Sequence, residues 1–291
     1  MIVDAHNHVD WHKYNLDRFL ANMDQYGIDK TWLLTWESPA DEYTPEYNHV
    51  VNVDALTDGG PISFARTLSY IERCPDRFVF GFAPDPRRPQ AIDRLHSAID
   101  LYGVKVCGEV RLRMMYDNPD AIRLWRFAGE RGLPVTFHFD YELGEGRTKY
   151  PRPNYWYGGG IDCLERVLKL CPETNFLGHA PGFWSHISGD DRFDKEGYPK
   201  GPVLPGGRVI DLLEKYPNLY CDLSAGSGCN AISRDPAFGK KFLITWQDRC
   251  VYARDYFDNI HQEFINSLNL DQSVLDKIYY KNALRLTGEN V

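Results

Sequence analysis

The residues best able to do chemistry in this 291-residue chain are a small set of histidines and carboxylates. "VDAHNHVD" places His6 and His8 two residues apart. In a strand, residues two apart share a face, so the two imidazoles would lie side by side. Such a pair can hold a metal ion, or can simply be polar residues at a strand end; further donors decide between these. Glu109 follows in "VCGEVRL", His138 in "PVTFHFD", His179 in "FLGHAPG", Asp222 in "YCDLS" and Asp255 in "VYARDYFD". Zinc accepts imidazole nitrogen and carboxylate oxygen, and a catalytic site leaves one position open for water. Bound metal lowers the pKa of that water to roughly 7. A nearby carboxylate can take its proton and return it to a leaving group, and Asp255 is the candidate.

These residues are far apart in sequence, so the fold must gather them. Strands are expected in "MIVDAH", "KTWLLTW", "RFVFGFAP", "VKVCGEVRL", "LPVTFHFD", "TNFLGHA", "NLYCDLS" and "DRCVYARD". Helical patterns separate them, such as "PQAIDRLHSAIDLYG", stopped by Gly103, and "NPDAIRLWRFAGERG", opened by Asn-Pro. A parallel return needs a crossover, so this alternation predicts a parallel sheet. Eight such units with no break in composition predict a closed (β/α)8 barrel, one domain over residues 1–291. An open doubly wound sheet lacks support, since no G-x-G-x-x-G follows the first strand. Barrel enzymes set their chemistry at the C-terminal strand ends, and four of the nine histidines fall there. Residues 37–60 and 181–207 read as long loops able to cover one mouth.

In that order, "VDAHNHVD", "PVTFHFD", "FLGHAPG", "VYARDYFD" and the closing "KIYYKNALRL" resemble the amidohydrolase superfamily. The resemblance is to its amidohydrolase-related branch (amidohydrolase 2), which also contains decarboxylases, and it covers the whole chain. It implies a distorted (β/α)8 barrel with a divalent metal, often zinc, at the C-terminal mouth. It implies that His6, His8 and His138 ligate metal, and that His179 binds a second metal or polarises substrate. It implies that Asp255 touches metal and takes the proton from the attacking water. Glu109 stays open: metal-dependent deoxyribonucleases of the superfamily use a glutamate at this stage to bridge two metals, whereas a barrel glutamate can also pair with an arginine. One ion is favoured over two, because the strand-four lysine of many two-metal relatives is absent. Strand eight reads "ARD" where the family has Gly-Thr-Asp or Gly-Ser-Asp, and alternation turns Arg254 away from the mouth. Pro181 stands where the family has glycines and can re-aim the loop that follows.

Other residues bear on substrate. Arg111 and Arg113 share alternation with Glu109 and can hold a carboxylate by a bidentate fork, or form structural ion pairs. Arg234, after strand seven, has the same standing, and His12 lies near the mouth in the first loop. Asp222 reads as a supporting partner rather than a ligand. "YGGGID" can offer backbone amides to an anion or be a plain loop. "YPRPNYWYGGG" can wall the pocket or pack at the rim. His49, His96, His186 and His261 read as surface or loop histidines.

Composition narrows the class. Net charge is −8 and the pI about 5.6, which argues against a general phosphate-backbone binder. No run of 18 apolar residues and no signal-peptide pattern occurs. Seven scattered cysteines without a C-x-x-C pair read as a reduced, cytoplasmic protein. The expected function is a metal-dependent hydrolase that opens an amide C–N or an ester or lactone bond of a small polar molecule with metal-activated water. A non-oxidative decarboxylase on the same site is the alternative, and a non-catalytic metal-bound sensor a third reading. The expected partner is a small-molecule substrate, with no nucleic acid or membrane, and with homo-oligomerisation left open.

Overall fold

Short runs rich in β-branched, aromatic and aliphatic residues form eight strands, nearly all buried on both faces as a helix-covered parallel sheet requires. They are β1 (Val3–Asn7), β2 (Lys30–Leu34), β3 (Phe78–Gly81), β4 (Cys107–Val110), β5 (Val135–His138), β6 (Phe176–His179), β7 (Leu219–Asp222) and β8 (Cys250–Val251). The structure is a computed structural model that describes residues 1–39, 42, 60–140, 156–190 and 192–289. Each strand expected from sequence is present, and every ladder between these strands is parallel.

Helices return the chain between strands: α1 (Leu16–Tyr26), α2 (Phe64–Arg73), α3 (Ala91–Tyr102), α4 (Pro119–Glu130), α5 (Ile161–Leu170), α6 (Pro181–Trp184), α7 (Arg208–Lys215), α8 (Ala225–Ser233), α9 (Pro236–Thr245), α10 (Ile260–Ser267), α11 (Gln272–Asp276) and α12 (Asn282–Leu286). Their ends carry the expected signals. Asn118 accepts from Asp120 N ahead of Pro119, and α3 stops at Gly103 with φ 69°. The stretch 181–207, read as loop, contains α6 and two 3-10 turns. The sequence carries no clear signal for α8, because "SAGSGCNAIS" is rich in small residues and lacks a strong apolar period.

The barrel is distorted. Ladder pairing divides it into β1–β2–β3 and β4 through β8. One junction is held by Phe82 N to Val106 O (2.9 Å) and Lys105 N to Phe80 O (2.9 Å). At the other, β8 meets β1 through Ala5 N to Tyr252 O (3.0 Å) and Asp255 N to His6 O (2.8 Å). Val3, Ala5, Trp32, Leu34, Val79 and Leu177 join one apolar cluster, which Leu284 and Leu286 of α12 complete.

Two of the histidines read as surface or loop residues are buried. His261 sits beside Ala225 O at 2.9 Å, whereas His186 packs on Phe193 with ring centroids 4.2 Å apart. His96 is exposed as expected, 2.9 Å from Asp100, and His49 lies outside the described residues. Burial, with the Arg208 charge, holds the His186 pKa down to about 4. An unfolded histidine titrates near 6.5, so between these values the unfolded chain binds a proton that the fold refuses. Stability should therefore fall as pH drops from about 6.5 to 4, by up to about 3 kcal/mol from this residue. His186→Phe is expected to flatten that slope in denaturant unfolding measured at pH 7 and pH 4.5. An unchanged slope would show that His186 takes up its proton in the folded state.

Candidate metal centre

Parallel strands put all their C-terminal ends at one end of the barrel, and the polar residues gather there. His138 and His179 end β5 and β6 and pair in register, with rings 5.2 Å apart. Asp222 ends β7 and Glu109 lies within β4. His6 is in β1, and His8 follows its end. Two of these strands are irregular at the donor itself. β1 advances three residues against two of β2 between Asp4 and Asn7, and β4 does the same against β5 between Cys107 and Val110. Bulges of this kind re-aim side chains, and here they fall on His6 and on Glu109.

Each imidazole is fixed through one nitrogen, and most turn Nε2 to the interior. His8 Nδ1 donates to Leu34 O at 2.8 Å, which leaves Nε2 as the free acceptor. His6 Nδ1 lies 2.6 Å from Asp222 Oδ2, and His179 Nδ1 lies 2.8 Å from Ser224 Oγ. An imidazole backed by a carboxylate or hydroxyl is how a metal-ligating histidine is oriented. His138 differs: Nδ1 is 2.7 Å from Glu109 Oε1, and Nε2 turns toward Asp140 at 3.8 Å.

Glu109 stands at the centre. Its Oε2 is 3.4 Å from His8 Nε2 and 3.8 Å from His6 Nε2. Its Oε1 is 3.7 Å from His179 Nε2 and meets His138. Asp255 Oδ1 is 3.6 Å from His8 Nε2, and its Oδ2 is 3.8 Å from His179 Nε2. Donors at about 2.0–2.2 Å from a tetrahedral ion sit roughly 3.4 Å apart, so the His6, His8 and Glu109 atoms need little adjustment to hold one, with Asp255 facing His8 from beside them. The groups able to hold a metal are His6–His8–Glu109, Glu109–His138–His179 and His6–His179–Asp222. No such group among the described residues joins His6, His8 and His138; Glu109 stands between them. Asp222 hydrogen-bonds His6 from behind, as a supporting partner does.

Buried atoms without hydrogen-bond partners mark the same centre: His6 Nε2 and Asp255 Oδ1. Buried polar atoms are ordinarily satisfied, so their convergence fits a cation. The charges agree. Burial alone would depress the His6 pKa, yet Asp222 and Asp255 hold it well above its ordinary value. Burial would raise that of Glu109, but the His138 charge and bonds from three histidines keep it well below the carboxylate range. Burial raises Asp255 against the pull of His6 and His8, and lowers His179 to about 3 with help from the His6 charge.

The expected substrate contacts divide. Arg111 is buried between Trp36 and Tyr157, its Cζ 4.3 Å and 4.9 Å from their ring centroids. Arg113 lies farther out, its Cζ 6.0 Å from Tyr157 and its backbone N donating to Glu42 Oε2. His12 packs edge-on to Tyr256, the residue after Asp255. Arg234 lies at the end of α8, where its main charged neighbours are Asp190, Arg192 and Asp235, and its three guanidinium nitrogens are covered without hydrogen-bond partners. Most of 150–157 and of 37–60 lies outside the described residues. A cavity of about 500 Å³ opens between α8 and the segment after β8, with Asp255 in its wall and Tyr198 and Ile260 exposed at its rim. Sequence reading missed Ser224, Asp140, Trp36 and the Leu34 carbonyl. Ser224 alone had a signal, since it lies two residues past Asp222.

The amidohydrolase family model (Amidohydro_2) matches residues 3–288. No curated protein matches the chain by sequence. Among solved structures, an uncharacterised TIM-barrel protein from Bordetella bronchiseptica shares 17% identity at a TM-score of 0.64, over 99% of this chain and 98% of that one. A dihydroxybenzoic acid decarboxylase from Polaromonas sp. JS666, with bound manganese and the inhibitor 2-nitroresorcinol, shares 17% at 0.57, over 99% and 96%. A probable 2-pyrone-4,6-dicarboxylic acid hydrolase from Acinetobacter baumannii, with citric acid bound, shares 13% at 0.58, over 99% of each chain. These likenesses show the barrel fold. Because the family match spans nearly the whole sequence, the chain belongs to the amidohydrolase family.

Proposed function

We propose that the protein is a metal-dependent hydrolase that opens an amide C–N or an ester or lactone C–O bond in a small polar molecule. The observation that carries this reading is Asp255. Its carboxylate is raised in pKa, has Oδ1 without a hydrogen-bond partner, and faces His8 and His179. That describes a proton acceptor held beside a metal site. His6, His8, Glu109 Oε2 and Asp255 would hold one ion; Glu109 Oε1, His138 and His179 would hold a second. This two-ion reading replaces the single ion favoured by sequence, because each oxygen of Glu109 serves a different histidine pair. Zinc suits the imidazole-rich donors. Bound there, divalent metal would supply an activated water and polarise the scissile carbonyl. Asp255 takes a proton from the attacking water and returns it to the leaving group. Arg111, stacked between Trp36 and Tyr157, holds a substrate carboxylate by its planar fork.

Decarboxylation is the second reading, and the likeness to the Polaromonas decarboxylase favours it. Turnover in ¹⁸O-labelled water separates the two. Label in the product acid supports hydrolysis; carbon dioxide release with no label in the organic product supports decarboxylation. All seven cysteines are free thiols, which supports a reducing compartment. No helix among the described residues is long and apolar enough to cross a membrane.

Metal removal should be visible in stability. A ligand at a thousand times its Kd stabilises the fold by about 4 kcal/mol. For a chain of this size that is roughly 8 °C in Tm. Chelation should lower Tm by about this much, and zinc should restore it. Equal Tm with and without zinc, together with negligible metal by elemental analysis, would exclude the metal centre.

A further inference from the structure

β8 is only two residues long, yet Asp255 lies beyond its end and must be held accurately. The bonds that hold it come from the first elements of the chain. Asp4 receives Arg254 twice, from backbone N to Oδ1 (2.8 Å) and from Nε to Oδ2 (2.9 Å). Arg254 Nη1 continues to Asn22 Oδ1 at 2.8 Å, and Asn22 Nδ2 donates to Phe257 O at 2.7 Å. Asn7 Nδ2 donates to Tyr256 O (2.8 Å) and Trp11 Nε1 to Asp255 O (3.0 Å). Asp255 itself has φ 51°, in the left-handed region that aspartate tolerates but does not favour. The carbonyls of residues 255, 256 and 257 are thus each taken by a side chain from the β1–α1 half.

We propose that the buried Asp4–Arg254 pair is a positioning device that ties the strand bearing His6 and His8 to the turn bearing Asp255, so that these donors meet in one geometry. Stability is a poor reason for such a pair. Both residues are fully buried, and Arg254 Nη2 has no hydrogen-bond partner. Removing two charges from water costs several kcal/mol each, and well-packed apolar residues in their place are often neutral or better. What an apolar pair cannot do is fix direction. The Asp4 carboxylate takes the backbone N and the Nε of Arg254 together, which sets the angle of the chain at residue 254, and the next side chain is the Asp255 carboxylate. The inference rests on the metal-centre reading for its consequence, but the positioning itself is measurable without metal.

The test is the double variant Asp4→Leu/Arg254→Met, with Arg254→Lys beside it. Lysine keeps the backbone bond and one charge contact with Asp4 and loses the second side-chain arm, to Asn22. In metal-free protein, hydrogen exchange at the Asp255 amide should quicken at least about tenfold in the double variant, while Tm stays within about 2 °C. Cobalt(II) affinity, read from its visible absorption, should fall about 10- to 100-fold, as it does when an outer partner of a metal ligand is lost, with a changed band shape. A folded double variant with wild-type exchange and wild-type cobalt binding overturns the proposal. If the double variant does not fold, Arg254→Lys decides by the same two readouts, with an expected loss of about tenfold in cobalt affinity. If wild type takes up no cobalt, the metal reading fails, and exchange at Asp255 still decides the positioning role.

Discussion

Asp255→Asn is expected to keep its metal and to lose about 10²- to 10⁴-fold in kcat. Four imidazoles and Glu109 remain as donors, and the amide oxygen of asparagine can still face His8. What disappears is the group that accepts the proton of the attacking water. The loss should fall on kcat and kcat/KM together, because the interaction is made in the transition state. The measurement is kcat on the best substrate found, with metal content determined in the same sample. A metal-replete variant within a few-fold of wild type would sink the assignment. His179 would then be a weak substitute near neutral pH, since burial and the His6 charge hold it at about 3. Decarboxylation, which needs no attacking water, would become the better account.

The elements that carry the donors were legible for simple reasons. Each strand is a short apolar run between turn signals, and each long helix has an amphipathic period with an Asn, Ser or Gly boundary. Once eight strands are parallel, the residues at their ends must share a mouth, so His6, His8, His138, His179 and Asp255 could be named. Their partnerships could not. Alternation says which face a residue takes, but an extra residue at Ala5–His6 and another at Gly108–Glu109 shift that count, and nothing in the local pattern announces them. The resemblance groups His138 with His6 and His8; the structure sets Glu109 between the pairs. The Leu34 carbonyl that orients His8 is invisible in principle, because a backbone group carries no sequence signal. Arg254 shows the opposite case. Alternation turned it away from the mouth, and the structure buries it on Asp4 at the start of the chain, 250 residues away in sequence.

Glu109→Gln should separate the two-ion reading from the one-ion reading. In wild type, Oε2 faces His6 and His8 while Oε1 faces His138 and His179. Glutamine is close to isosteric but offers one carbonyl oxygen, no negative charge, and an NH₂ group that cannot ligate. The side served by His138 and His179 is then left with two imidazoles, too few to retain an ion. The other side keeps His6, His8 and Asp255 and should hold its ion more weakly. Metal content is expected to fall from about two ions per chain to one or fewer, whereas Asp255→Asn stays near two. Metal-edge spectroscopy of wild type should show a metal–metal distance of about 3.5–4 Å that is absent from Glu109→Gln. The variant should still fold, because it removes a buried carboxylate whose burial opposes its own ionisation. Zinc should then raise its Tm by less than it raises that of wild type, since less metal is bound. Wild type carrying a single ion that survives Glu109→Gln would show that Glu109 bridges no metals, and the short His138–Glu109 contact would be read as a hydrogen bond that persists in the working enzyme. Loss of both the second ion and the metal–metal distance in one substitution would place Glu109 between two metals, as its position between four imidazoles implies.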